Sequence, residues 1–218
     1  MEFGVGVVGT AWPNGQVFFT PEEYPVGIAK GDRMRSSGGA TDQTIAQDVS
    51  GITIGSGQTF IASCWVRATQ AYVIPATTWY LNLHGTDNTP TYIANSSVVF
   101  PGSMLTRTWR RIWWCWYVDP AIGSQANITH MQFQLCIQNA AANEHIEVWG
   151  CQLEQWAGNV QQLPQDHTET TAALGPTVNL LQNSSAISGT GWTKHANITI
   201  DTNIAEAPYE YYRAWSSN

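Results

Sequence analysis

Short stretches in which apolar and polar residues alternate recur through the middle of this chain, and such alternation predicts β-strands. Clusters of Gly, Pro, Asn and Asp separate the stretches, and no window holds a helical stripe of apolar residues over three turns. Short, evenly spaced strands joined by turns are typical of an antiparallel β-sandwich such as the jelly roll. We therefore predict an all-β protein of that architecture. The clearest strand stretches are 58–68, 77–85, 111–119, 128–138 and 145–155.

Alternation also predicts which side chains share a face, because successive side chains of a strand point to opposite sides of the sheet. The stretch 131–138 has one apolar face and one face made mainly of glutamine. The stretch 111–119 is apolar on both faces, so we expect a central strand that is covered on both sides. In 145–155 we expect Gln152 and Glu154 to bond backbone groups at a sheet edge or to make a surface contact. One face of that stretch is expected to hold Glu147, Trp149, Cys151 and Leu153.

Composition excludes several classes of function. The chain has 218 residues, enough for one large β domain with an appendage, and its net charge is −7 with only nine Lys and Arg. Sequence-independent nucleic-acid binding needs a broad cationic surface, so we expect no nucleic-acid partner. No run reaches the roughly 20 apolar residues of a membrane span, and we expect no membrane insertion. The first residues lack the basic and apolar regions of a signal peptide, so secretion is not expected.

Metal binding and catalysis find little support in the sequence. The cysteines show no CxxC spacing, and each lies in an apolar strand-like run, which favours buried free thiols over disulfides. Carboxylates are scattered, and the chain lacks the motifs GxSxG and HExxH and a phosphate-binding loop before a helix. We therefore predict a protein that is not an enzyme, with no catalytic residue, metal or cofactor. The cysteines are Cys64, Cys115, Cys136 and Cys151.

A short internal repeat divides the chain. The sequence "GTAW" at 9–12 recurs as "GTGW" at 189–192, and an Arg- and Ser-containing segment follows each at the same distance. We predict a jelly-roll module over 1–174 and a partial second copy of its opening strands over 175–218. A piece of a module cannot bury a core alone, so the second copy is expected to be an ordered tail or to complete a sheet of another chain.

Four motifs, in order along the chain, resemble β-sandwich modules of bacteriophage tail fibres and tail spikes. The run "VWGCQLEQ" resembles their final strand, although the family usually has Ala where Cys151 stands. The run "NLLQNSSAISGTGWTKHANITI" is similar to their opening, which the first copy here lacks. Exchange of that segment between chains would explain why the first copy lacks this opening and why the partial second copy carries it. The motifs are "FIASCWVRA" (60–68), "TRTWRRIWW" (106–114), "VWGCQLEQ" (148–155) and "NLLQNSSAISGTGWTKHANITI" (179–200).

The resemblance implies a bacteriophage virion protein, namely a tail fibre, a spike or a head-surface decoration protein. Such a protein would be assembled in the host cytoplasm as a homo-oligomer, for example a trimer. Its partners would be other virion proteins and a bacterial surface glycan. Two alternatives stay open: a carbohydrate-binding module that serves a polysaccharide-degrading enzyme, and a purely structural capsid or tail component without a glycan site.

Candidate binding residues follow from the chemistry of sugars, whose C–H faces stack on aromatic rings and whose hydroxyls pair with amides. If Trp79 and the leucines of 77–85 face the core, a polar and aromatic row faces outward. A row of glutamines on 131–138 is a second candidate, and Trp65 with Arg67 is a third. The two rows comprise Tyr80, Asn82 and His84, and Gln132, Gln134 and Gln138. We expect Trp156, Trp192 and Trp215 to be subunit-interface anchors, since Trp is enriched at interfaces.

Overall fold

The structure is a computed structural model, and within the residues it describes the chain is a sandwich of two antiparallel sheets. One turn of 3-10 helix, Gln125–Asn127, is the one helical element of that part of the chain. The prediction of an all-β antiparallel sandwich is confirmed. The described residues are 3–7, 16–20, 32–36, 38, 42–68, 78–89, 91–101, 109–138, 144–160, 163–165, 180–181, 187–194 and 196–202.

The two sheets have seven and five strands. Strands that follow one another along the chain often lie in different sheets or are separated by other strands. The seven-stranded sheet has the order β1 (Phe3–Val7), β2 (Gln16–Thr20), β8 (Arg110–Val118), β5 (Gln58–Arg67), β10 (His145–Ala157), β3 (Asp32–Ser36), β12 (Ile198–Asp201). The five-stranded sheet has the order β11 (Trp192–Lys194), β4 (Asp42–Ser50), β9 (His130–Gln138), β6 (Thr78–Thr86), β7 (Tyr92–Pro101). Each described pairing is antiparallel.

The five strands predicted from alternation are all present, as β5, β6, β8, β9 and β10. Strand β8 is central and buried on both faces, as its pattern predicted. Strand β4 was not predicted, because the polar Gln43 and Gln47 occupy buried positions that alternation assigns to apolar residues. Strand β7 was not predicted either, since its Asn-Ser-Ser run reads as a turn.

The core lies between the sheets and is made of the inward side chains of both. Trp114 of β8 also links the sheets by a hydrogen bond, because its Nε1 donates to Ser96 Oγ of β7 at 3.0 Å. Full burial of one aliphatic, Phe or Met side chain of this core contributes about 1.5–3 kcal/mol to stability. Inward residues of the two central strands include Phe60, Ala62, Cys64, Val66, Met131, Phe133, Leu135 and Ile137.

A β-bulge in β10 overturns the expected face of the stretch 147–153. Gly150 has φ of +62°, a conformation that glycine adopts without strain. Gly150 and Cys151 together lie opposite Cys64, and the pairing register shifts there. Alternation therefore inverts after Trp149. The result is that Cys151 and Leu153 join the core, whereas Glu147 and Trp149 face outward from the seven-stranded sheet.

The described part of 175–218 packs into the same sandwich. Leu181, Ile187 and Ile198 are fully buried in the common core. Strand β11 forms one edge of the five-stranded sheet and β12 one edge of the seven-stranded sheet. The division of the chain after residue 174, and exchange of this segment between chains, stay predictions.

All four cysteines are buried, and none of them forms a disulfide, as their settings in apolar strands favoured. Burial raises the pKa of Cys115 to about 12. Burial also raises the pKa of Cys151 well above its ordinary value, and a hydrogen bond with Cys64 adds to this. The thiolate is the reactive form, so the raised pKa values of Cys115 and Cys151 add to their burial in opposing reaction in the folded chain.

We expect Ellman's reagent to label no thiol of the folded protein at pH 8 within minutes. Four thiols per chain should react once the protein is unfolded in guanidinium chloride. Rapid labelling of Cys115 in native buffer would contradict the burial described here. The control is the same assay on a short cysteine peptide.

Candidate functional site

The outer side of the five-stranded sheet brings the two predicted polar rows together. Strands β6 and β9 are neighbours, so Asn82 lies opposite Gln134 and His84 lies opposite Gln132. Asp48 of β4 lies opposite Gln132 on the other side. We call this surface the polar face, and it comprises Asp48, Tyr80, Asn82, His84, Tyr92, Asn95, Gln132, Gln134 and Gln138.

Side-chain hydrogen bonds connect the centre of the polar face across three strands. Gln132 Nε2 donates to Asp48 Oδ1 at 2.7 Å, and Asn82 Nδ2 donates to Gln134 Oε1 at 2.6 Å. Gln134 Nε2 lies 3.2 Å from His84 Nδ1 and also donates to Gln132 Oε1. The network joins residues that are far apart in sequence, so it depends on the register of the sheet.

Two polar atoms of this network are buried and unsatisfied. Asn82 is only 5% exposed. Neither its Oδ1 nor His84 Nε2 has a hydrogen-bond partner among the residues that the structure describes. A buried polar group without a partner costs about 1–3 kcal/mol, so a group that paired with either atom would be stabilised there.

Tyr92 supplies an exposed aromatic ring beside the network, and the sequence analysis missed it. The residue is 56% exposed, and its ring lies 4.9 Å from the His84 ring between centroids, tilted by 58°. Its hydroxyl donates to Asn95 Oδ1 at 3.0 Å. The available signal was an aromatic residue directly after a turn cluster, which is a common start for a strand.

The turn before Tyr92 is ordered by a single carboxylate. Asp87 Oδ1 accepts hydrogen bonds from the Thr89 backbone N–H at 2.8 Å and from the Thr91 N–H at 3.0 Å. It also accepts from the Thr89 hydroxyl at 2.8 Å. These bonds, above all those from Thr89, lower the pKa of Asp87. They fix the β6–β7 turn and thereby the start of β7, where Tyr92 lies.

Electrostatics favour an uncharged imidazole on the polar face. Burial lowers the pKa of His84 below its ordinary 6.5, and the Asp48 carboxylate opposes that shift only in part. His84 is therefore neutral at pH 7. One ring nitrogen of a neutral imidazole accepts a hydrogen bond and the other donates one.

The remaining predicted members of the two rows lie toward one end of the same face. Tyr80 is half-buried and lies opposite Cys136 of β9 and Val99 of β7. Gln138 is half-buried and ends β9, opposite Asp42 and Thr78. All six residues of the two predicted rows thus share one surface, and their role in binding stays a prediction.

The third candidate, Trp65 with Arg67, lies elsewhere and is buried. Arg67 Nε donates to Glu147 Oε2 at 2.5 Å, and its guanidinium lies 4.8 Å from the centre of the Trp109 ring. Arg33 donates to the other oxygen of Glu147 at 3.0 Å. We call Arg33, Arg67 and Glu147 the buried charge cluster. It lies on the outer side of the seven-stranded sheet, and its geometry is that of a structural contact.

Glu154 is neither at a sheet edge nor on the surface, contrary to the expectation of a surface contact. It is fully buried on a central strand, and its Oε1 accepts from the Gln165 N–H at 2.9 Å and from Gln152 Nε2 at 2.7 Å. Burial raises its pKa, while these hydrogen bonds act in the opposite direction. The bond to Gln165 does satisfy a backbone group, as the sequence analysis expected.

The predicted interface residues have different settings. Trp156 is half-buried, and its Nε1 donates to Glu154 Oε2 at 3.2 Å. Trp192 packs edge-on against Phe133 of the core, with ring centres 5.8 Å apart. Trp215 lies outside the described residues. The interface role of all three stays a prediction.

The described part of the chain contains neither a metal-binding cluster nor a helix that could span a membrane. There, no group of three His, Cys, Asp or Glu side chains is placed to hold a metal ion. The same residues include no helix of sufficient length and apolar character to cross a bilayer.

Comparison with known proteins gives distant structural neighbours. No protein-family model and no curated protein matches the sequence. The enzymatically active domain of tailspike protein 4 from bacteriophage CBA120 aligns at TM-score 0.44 and 12% identity, over 70% of this chain and 18% of that one. The carbohydrate-binding module of PbXyn10C aligns at 0.42 and 12%, over 82% and 91%. The arabinose-bound α-L-arabinofuranosidase MgGH51 aligns at 0.37 and 15%, over 71% and 23%.

The chain thus spans about a fifth of the length of the tailspike domain and of the arabinofuranosidase. It spans most of the carbohydrate-binding module. None of these likenesses is close enough to indicate what this chain binds or whether it catalyses a reaction.

Proposed function

We propose that this protein binds a glycan through the polar face, as a structural component of a bacteriophage virion. The observation that supports binding is the hydrogen-bonded network of Asn82, His84 and Gln134 beside the exposed Tyr92 ring. It combines a stacking surface with amide and imidazole groups, which is the chemistry that sugars require. The virion setting rests on the motif resemblance alone.

A sheet face of this kind suits weak binding at many copies. The network offers few polar groups, so affinity at one site is expected to be low. Several copies on one particle raise the effective affinity without any new contact, provided that their spacing matches the glycan. No catalytic step is part of this proposal.

The test is the removal of the Tyr92 ring. We expect Tyr92→Ala to weaken binding about tenfold, because loss of a stacking ring costs on the order of 1.4 kcal/mol. Affinity electrophoresis against soluble polysaccharides, including xylan, galactomannan and dextran, measures the change. Ile122→Ala is the matched control, since Ile122 is similarly exposed, at 52%, and lies in the turn after β8.

Two results would contradict the proposal. Retention of every polysaccharide at wild-type strength by Tyr92→Ala would move the site away from the polar face. Failure of the wild-type chain to be retained by a broad panel would instead favour the purely structural component. Immunogold labelling of particles of the encoding phage tests the virion role separately.

A further inference from the structure

We propose that the polar face recognises an uncharged sugar hydroxyl through a directed chain of side-chain amides that starts at Asp48 and ends at Asn82 and His84. The inference rests on the proposed function, because it names the ligand group that the same site takes. It is argued from the direction in which each hydrogen bond of the network must run.

The first step fixes the two glutamines. An ionised carboxylate only accepts hydrogen bonds, so Gln132 presents its NH₂ group to Asp48. The Gln132 carbonyl oxygen then points to Gln134. Gln134 must meet that oxygen with its own NH₂ group. The orientation of both amides is therefore set by the charge on Asp48.

The second step fixes His84 and Asn82. The second hydrogen of Gln134 Nε2 points to His84 Nδ1, which consequently accepts and carries no proton. In neutral His84 the proton is then on Nε2. Gln134 Oε1 accepts from Asn82 Nδ2, so Asn82 Oδ1 points away from the network.

The chain thus ends in one donor and one acceptor, two residues apart on β6. The donor is the His84 Nε2–H group and the acceptor is Asn82 Oδ1, and both atoms of this network are buried without a partner among the described residues. A hydroxyl both donates and accepts, so sugar hydroxyls satisfy both atoms. A carboxylate satisfies only the donor and an ammonium only the acceptor, which would leave the other atom unpaired.

Tyr92 is the element that admits the ligand. Both unsatisfied atoms are closed to solvent, so binding requires a neighbouring side chain to shift. The Tyr92 ring contacts the His84 ring and is more than half exposed, and its shift would break the hydrogen bond from its hydroxyl to Asn95 Oδ1. A sugar that stacks on this ring is brought next to His84.

The direction of the chain makes recognition sensitive to pH. A proton added to His84 Nδ1 would face the NH₂ group of Gln134, and only reversal of both glutamines, against Asp48, would relieve the conflict. The other titratable groups near this face, among the described residues, are Tyr80 on β6, Asp87 after β6, Tyr92 on β7, and Cys136 and His130 on β9. We expect binding to be constant above pH 6.5 and to weaken below it, since the pKa of His84 is lowered.

The first experiment determines the tautomer of the His84 imidazole in the full-length protein, with no polysaccharide added. Nitrogen-15 NMR of labelled histidine should show His84 at pH 7 as the Nε2–H tautomer. Gln134→Glu places an acceptor opposite Nδ1, so His84 should gain a proton there and its pKa should rise above 6.5. Gln125→Glu is the matched control, because Gln125 Oε1 already acts as an acceptor for Asp119 N–H far from the polar face. Wild-type His84 found as the Nδ1–H tautomer or charged would overturn the inference.

The second experiment measures specificity by affinity electrophoresis at pH 7. The wild-type chain should be retained by neutral xylan, galactomannan or dextran, whose hydroxyls both donate and accept hydrogen bonds. Gln134→Glu should lose about tenfold in retention, and Gln125→Glu should lose none. Retention of Gln134→Glu at wild-type strength would overturn this inference and leave the proposed function intact. Retention by none, with His84 found as the Nε2–H tautomer, would overturn both.

Discussion

Replacing Glu147 by glutamine should lower the free energy of unfolding by about 3–5 kcal/mol, because the substitution removes the buried carboxylate that Arg33 and Arg67 both contact. The Glu147 side chain is 2% exposed and that of Arg67 is 10% exposed. Arg67 cannot reach water without leaving its position on the Trp109 ring. Urea unfolding followed by tryptophan fluorescence measures the change.

The control for Glu147→Gln is Asp201→Asn, which removes a carboxylate from the same sheet. Asp201 accepts two hydrogen bonds from Arg35, at 2.9 and 3.1 Å, but both side chains are about one third exposed. A pair in contact with water contributes at most about 1 kcal/mol. Equal losses of stability in the two variants would show that the buried charge cluster is more hydrated than described.

Replacing Leu181 by alanine should destabilise the whole sandwich by about 2–5 kcal/mol, the usual cost of a cavity at a buried leucine. Leu181 is 0% exposed and belongs to the common core. The preceding residue, Leu180, donates its backbone N–H to Leu153 O of β10 at 2.9 Å. Unfolding in urea should therefore stay a single transition with a lower midpoint.

The control is Leu163→Ala, the same chemical change at a leucine that is 51% exposed. We expect a change within about 0.5 kcal/mol. If Leu181→Ala behaved in the same way, the segment after residue 174 would be a separate appendage. If Leu181→Ala produced two transitions, the segment would be a unit that unfolds by itself.

The polar face was predictable from sequence because it depends on alternation within single strands. The pattern of Trp79 and the leucines placed Tyr80, Asn82 and His84 outward, and the strand of 131–138 placed its glutamines outward. Alternation does not predict that β6 and β9 are neighbours, because the order of strands in a sheet depends on tertiary packing. The contact between His84 and Gln134 could therefore not be predicted from the sequence.

Other features were hidden for physical reasons of the same kind. The bulge at Gly150 adds one residue to a strand, and a strict two-residue alternation does not predict where such an extra residue lies. The buried charge cluster joins residues of β3, β5 and β10, so its burial follows from register and not from composition. Tyr92 was not predicted as an exposed strand residue, because Asn95 and the two serines after it are typical of a turn and not of a strand.

The positions of β11 and β12 have a consequence for how the protein is made. Each pairs with an early strand, β4 and β3 respectively, so the edges of β4 and β3 are covered only by residues of 192–201 among those the structure describes. A nascent chain that has left the ribosome only as far as β10 exposes two open strand edges and the core residues that Leu181 and Ile198 cover. Such pairings between distant residues form slowly, and open edges favour association with other chains. We expect the yield of soluble protein to depend on how fast translation delivers these last strands.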